Sequence, residues 1–333
     1  MSKIIDTDYL SESARIRFLE NKLVGKEKIN RLIETKTFDE ALRLLEEFGV
    51  KFDMNTDGRR DYEKTYYEML REAFNIADSS KNGTDIFKIL KYQYDCHNIK
   101  SCIKCQSIDR DPASIMVDLG SVSAADTIEA VRAKKYEIFP FNMASSADYA
   151  VSEYNKTKDP QIIDITLDRG CYLDMLDLAN KLDVPFILDA IKRKLDLTNI
   201  ITALRILRSK ASYALFEKSR LPFGQLDEQF FKEGFSQGEN AFLDSLVYTP
   251  YSVLSEKREK GESMSLAALE KIFDDFYIES LKSAKYLISG AEVIFSYIVA
   301  KEYEIRNIRI VIAGKLADSQ TDVIRERVRA SYV

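Results

Sequence analysis

Four soft side chains fall within ten residues: Cys96, His97, Cys102 and Cys105. Such a donor set can hold zinc, and Cys102-x-x-Cys105 alone has the spacing of a redox dithiol. Both chemistries demand geometry. On one helix successive residues turn by about 100°, so Cys96 points far from Cys102 and Cys105, and four ligands cannot converge on one ion. A redox pair opens a helix after a strand, whereas this one lies several turns into a helical pattern. Cys102 is better read as a small buried apolar residue. The single histidine, His97, removes most imidazole catalysis. The 54 carboxylates form no pair in a glycine-rich or loop context. The chain has no P-loop, GxGxxG or GxSxG motif. The residues therefore offer no catalytic constellation, no cofactor site and no metal site.

What recurs is structural. The pattern acid-x-x-Asn-Ile occurs three times, ending at Asn98-Ile99, Asn199-Ile200 and Asn307-Ile308, with acids Asp95, Asp196 and Glu304. The amides are 101 and 108 residues apart. Apolar or aromatic residues stand twelve, eight and four positions before each Asn: Ile86, Leu90 and Tyr94; Ile187, Ile191 and Leu195; Phe295, Val299 and Tyr303. Steps of four trace one helix face. Each copy should be one long helix, or two in close register, with an amide in its apolar stripe. A buried, unpaired amide would cost about 1–3 kcal/mol, so a repeated amide implies a repeated partner. The acid three residues earlier lies on nearly the same face and could orient it. A second block precedes each amide and begins at Tyr66, Tyr172 and Tyr277, 106 and 105 residues apart. Two blocks in the same order with one period near 105 point to one helical module used three times. Solenoid repeats run about 20–50 residues, which disfavours an armadillo-like adaptor.

The elements that must position these residues read as helices throughout. Only 6 Pro and 12 Gly punctuate 333 residues, and no run reads as a set of strands. Turn residues gather at Asp111-Pro112 and Gly120, and at Pro222 and Gly224. The modules are expected at 1–115, 116–218 and 219–333, as an all-α fold. Residues 79–83 read as a loop, with Thr84 or Asp85 as cap for the next helix. Gly314 is placed to end the last long helix, and Asp318 or Ser319 to cap a short basic tail helix. Net charge is −5, which disfavours a nucleic-acid partner. The most apolar run, Tyr286 to Ala300, carries Glu292 and is shorter than the roughly 20 residues of a membrane span. The opening residues lack a signal-peptide core, so a cytoplasmic, reducing environment is expected. Lys100, Lys104, Arg205, Arg208, Arg306 and Arg309 either face a partner or form a solvated helix face.

Around these residues the chain resembles a known family. Tyr94-x-x-His97-Asn98-Ile99-Lys100, Asp196-Leu197-Thr198-Asn199-Ile200, and the run from Ala300 to Arg309 with Gly314 resemble the C subunit of the V/A-type rotary ATPases, whose eukaryotic relative is the d subunit. Ile324 to Arg327 and Tyr332-Val333 fit the same ending. The resemblance runs in order along essentially the whole chain. It implies three helical domains about a pseudo-threefold axis, funnel-shaped. It implies a non-catalytic part of the central stalk, peripheral on the cytoplasmic face, joining the shaft of the D and F subunits to the membrane rotor ring of c or K subunits. No family residue with a catalytic or cofactor role exists to carry over. The competing readings are an unrelated α-helical scaffold and an enzyme with carboxylates between its domains.

Overall fold

The computed structural model describes residues 9–55, 57–78, 84–256 and 264–333. Among them are sixteen α-helices and one short antiparallel hairpin, Asp53–Met54 against Arg60–Asp61. The fold is all-α. The loop expected at residues 79–83 lies outside the described residues, and Thr84 and Asp85 are already the first residues of the next helix.

Contacts sort the chain into two compact units. One comprises Met1–Asn82 with Glu233–Val333, and the other Gly83–Lys232. The repeated amides lie on the three longest helices, α5 (Thr84–Ser107), α9 (Pro185–Arg208) and α15 (Ala291–Leu316). These contain 24, 24 and 26 residues, each about 36–39 Å long at 1.5 Å per residue. Each is one continuous helix.

In the first unit α15 packs on α2 (Lys26–Glu34), α3 (Phe38–Glu47) and α4 (Tyr62–Asp78). Ile29, Leu32, Leu42 and Leu45 form one cluster with Ile308, Val311 and Ile312. Each such side chain, fully buried, contributes about 1.5–3 kcal/mol. Thr37 starts α3: its hydroxyl accepts the Glu40 N–H at 3.2 Å, and the Glu40 carboxylate accepts the Lys36 N–H at 2.8 Å. This is close to a capping box.

In the second unit α5 lies along α6 (Ala124–Ala133) and α8 (Gln161–Leu182), and α7 (Phe141–Thr157) lies along α8. Ser123 caps α6 by accepting the Asp126 N–H at 3.1 Å. Pro185 opens α9, where its fixed φ suits the first turn. The helices end without glycine: Lys134, Lys158 and Asp183 take the left-handed conformation at the C-caps of α6, α7 and α8.

Two local expectations need correction. Gly314 does not end α15, which runs on to Leu316. An added Cβ there would lie 2.6 Å from Ile324 Cγ1, so this glycine admits α16 (Thr321–Arg327) rather than breaking the helix. Asp318 and Ser319 do not cap α16 either. Asp318 takes the left-handed turn that ends the preceding helix, and the N-cap is Gln320, which makes no side-chain cap bond.

Candidate functional site

Each repeated amide grips one backbone residue of a non-helical strap 19 to 22 residues further along the chain. Asn98 donates from Nδ2 to the Val117 carbonyl at 2.8 Å and accepts the Val117 N–H at 2.9 Å. Asn199 treats Leu221 identically, at 2.8 Å in both directions. Asn307 does so with Arg329, at 3.0 and 2.8 Å. A primary amide carries a donor and an acceptor side by side, so it matches both polar groups of one backbone residue. All three are buried.

The acids do a different job from the one their spacing suggested. Rather than orienting the amide, each reaches for backbone N–H groups. Asp95 accepts from Ser121 N–H, Ser121 Oγ–H and Val122 N–H at 3.1, 2.5 and 3.0 Å. Asp196 accepts from Gln225 and Leu226 at 2.7 and 3.2 Å. Amide and acid thus hold a strap at two points, four or five residues apart. Glu304 instead accepts the Val24 N–H at 2.9 Å, with Lys301 2.5 Å from its other oxygen. Burial raises the Asp95 carboxyl above the usual carboxylate range, outweighing the three hydrogen bonds that lower it.

The glycines at the breaks belong to these clamps. A Cβ on Gly120 would run into the Asp95 carboxylate, and one on Gly224 into that of Asp196. Close approach of backbone to carboxylate requires glycine here. The sequence carried a faint signal, a glycine 22 and 25 residues beyond the first two amides. Nothing local linked either glycine to an acid. Asp174 was likewise missed: it accepts the N–H groups of Asn142 and Met143 at 3.0 and 2.7 Å and so fixes the start of α7.

The tyrosine block is spread over three helices. Tyr66 on α4 is buried, stacked by the Arg309 guanidinium at 5.0 Å, and burial pushes its hydroxyl up to about 12. Tyr277, on α14 (Leu266–Leu281), lies 6.4 Å from the Tyr303 ring. Both therefore lie against α15, while Tyr172 is half-buried on α8.

The cysteines diverge. The Cys96 thiol donates to the Leu167 carbonyl at 3.4 Å, whereas Cys102 lies 3.5 Å from Met116 Sδ. All four cysteines are free and buried. Burial pushes the Cys102 thiol up to about 11, and contact with Cys96 raises Cys171 well above the usual range. Thiols held protonated in this way are poor nucleophiles. Among the described residues no group of three or more His, Cys, Asp or Glu is placed to hold a metal ion.

The basic residues beside the amides are paired within the chain. Lys100 pairs with Asp168 at 2.7 Å, Lys104 with Asp164 at 2.6 Å, Arg306 with Asp274 at 2.8 Å and Arg309 with Glu63 at 2.7 Å. Arg205 and Arg208 are engaged within the chain as well.

Fold and clamps together define an all-helical protein whose repeated polar residues fasten its own backbone. The family model described as ATP synthase (C/AC39) subunit matches residues 13–327, and the chain belongs to that family. It is 24% identical to the V-type sodium ATPase C subunit of Enterococcus hirae, over 98% of this chain and 99% of that protein. It is 26% identical to the A-type ATP synthase C subunit of Thermococcus onnurineus, over 94% of this chain and 87% of that protein. With the A-type ATP synthase C subunit of Methanocaldococcus jannaschii it shares 25% identity, over 95% and 85% of the two chains. No helix among the described residues is long and apolar enough to cross a membrane.

Proposed function

We propose that this chain is the non-catalytic central-stalk subunit of a V/A-type rotary ATPase. In this reading it sits on the cytoplasmic face of the membrane, receives the foot of the D–F shaft and joins it to the rotor ring. The observation that carries the reading is the family match along residues 13–327. The clamps favour it. A part that transmits torque must not shear, and close-packed helical units pass on strain with little compression. Straps fastened at one point by a buried amide and at another by charge-assisted hydrogen bonds to a carboxylate resist sliding. The repeated polar residues make these bonds within the chain, which accords with a structural role and no catalysis. The three modules, residues 1–115, 116–218 and 219–333, are part of the proposal, supported by the recurrence of the clamp.

The test is reconstitution. An ATPase complex depleted of this chain should hydrolyse ATP without moving ions, and adding the purified chain should restore ion transport. The isolated chain should bind a D–F pair and show no ATP hydrolysis of its own. Hydrolysis that stays uncoupled from ion transport after the chain is added back, or no affinity for D–F, would remove the rotor assignment.

A further inference from the structure

The spacing of Cys102 and Cys105 suggested a dithiol, but the structure brings a different pair of thiols together. Cys96 on α5 and Cys171 on α8 stand 75 residues apart in the chain and meet where the two helices pack. The Cys96 S–H donates to the Leu167 carbonyl at 3.4 Å. In a regular helix that carbonyl also receives the backbone N–H four residues on, which here is that of Cys171. The Cys96 thiol thus rests on the turn of α8 that carries Cys171, and the Cys171 S–H donates to the Cys96 sulfur. Packing does not call for sulfur at Cys96: two positions before the other repeated amides stand Leu197 and Ile305, both buried.

The two sulfurs are not equivalent. Contact with Cys96 and then burial raise the Cys171 thiol well above the usual range, so Cys171 keeps its proton. Cys96 has charged neighbours and a way to solvent. Asp168 Oδ1 lies 3.8 Å from the Cys96 sulfur, and the Asp168 side chain is 45% exposed, so one side chain separates Cys96 from water. Lys100, one turn along α5, pairs with Asp168 at 2.7 Å and also feels the Cys96 sulfur. A thiolate formed at Cys96 would therefore face an ammonium and a thiol donor, the surroundings of a reactive cysteine beside its resolving partner.

We propose that Cys96 and Cys171 form a peroxide-responsive disulfide that fastens α5 to α8. The Cys96 thiolate attacks one oxygen of hydrogen peroxide. An S–O bond forms, the O–O bond breaks, and the departing hydroxide takes up the proton that the thiol released, leaving as water. Cys96 is then a sulfenic acid. The Cys171 sulfur attacks the Cys96 sulfur, the S–O bond breaks, and the departing hydroxide takes the Cys171 proton as a second water. Two thiols are oxidised to one disulfide, and one peroxide is reduced to two waters. A small thiol reverses the step by exchange. Cys96 sits between Asp95 and Asn98, so oxidation locks the helix that carries the first clamp. The proposal concerns these two helices alone and is independent of the rotor reading.

The experiment treats the full native chain with hydrogen peroxide, blocks the remaining thiols with an alkylating agent in denaturant, and maps the peptides by mass spectrometry. The peptides of Cys96 and Cys171 should appear joined, lighter than their sum by two hydrogen atoms, and dithiothreitol should separate them. The oxidised chain should melt at a higher temperature than the reduced one, because the crosslink restricts the unfolded chain. Cys171→Ala should leave a sulfenic acid at Cys96 that dimedone traps. Cys102→Ala with Cys105→Ala should crosslink as the wild type does. No link between Cys96 and Cys171 in the native chain, or a link that forms only in denaturant, would overturn the proposal. So would dimedone on Cys171 rather than Cys96, or a lower melting temperature after oxidation. Should Cys171→Ala fail to fold, the crosslink in the wild type and its reversal still decide the matter.

Discussion

The first two clamps and the third use the same amide and differ in the acid. At Asn98 and Asn199 the acid is aspartate, and the strap it holds follows within about thirty residues, with glycine at the point of closest approach. At Asn307 the amide still holds the strap that follows, through Arg329. The acid is now glutamate, and its partner is Val24, 280 residues earlier in the chain. The extra methylene of Glu304 goes with a donor of different origin. A third glycine stands here too: a Cβ on Gly25 would lie 2.7 Å from the Val333 carbonyl oxygen, which accepts the Lys26 N–H at 3.1 Å. The amide clamp is thus local and keeps one form across the copies, while the acid clamp changes from a short-range closure to a long-range one. Loop-closure entropy rises only slowly with separation, so the long-range version is thermodynamically tolerable.

That contrast can be broken at several points. The largest effect should come from Gly224→Ala, which drives a methyl into a buried carboxylate. Chemical denaturation should show a loss of about 3 kcal/mol, the upper range for overpacking. Gly25→Ala, facing a carbonyl and the end of a valine side chain, should cost less. Next, Asn199→Leu leaves both polar groups of Leu221 without their partner, and should cost about 1–3 kcal/mol. Asn307→Leu should cost less than Asn199→Leu, because the Arg329 pairing is only partly buried. Equal losses would show that the two amides sit in equivalent surroundings.

Glu304→Asp tests whether the longer side chain is needed to reach Val24. Hydrogen exchange at Val24 should speed up, with about 1 kcal/mol lost in stability, the worth of a typical hydrogen bond. Unchanged protection at Val24 would mean that aspartate reaches as well. The smallest effect concerns pH. Burial holds the folded-state pKa of Asp95 above its ordinary value of 3.8. Folding therefore favours its protonated form, and its contribution is greatest below that value and declines as pH rises through the folded-state value. The stability advantage of the wild type over Asp95→Asn should accordingly narrow from acid toward neutral pH. A gap that widens instead would mean that the three hydrogen bonds outweigh burial.

The helical class, the three long helices and the burial of their amides were legible because helical periodicity is a local property, written in residues three and four apart. Cys102 was legible as a core position for the same reason: its slot matches Ala203 and Val311. Caps and stops were less so. Gly314 reads as a helix stop, yet serves a close contact with a helix that begins seven residues later. Such a role depends on a neighbour rather than on the glycine.

The amino-acid order by itself determined that an acid and an amide would sit one turn apart on a buried helix face, three times over. Only the tertiary structure decided what they hold. A carboxylate and an amide can each accept any nearby N–H, and the spacing of Asp95 and Asn98 fitted a mutual bond as well as it fitted a strap. The choice fell to backbone groups tens or hundreds of residues away, brought close by packing. Once buried there, those groups had no water to turn to and required a partner.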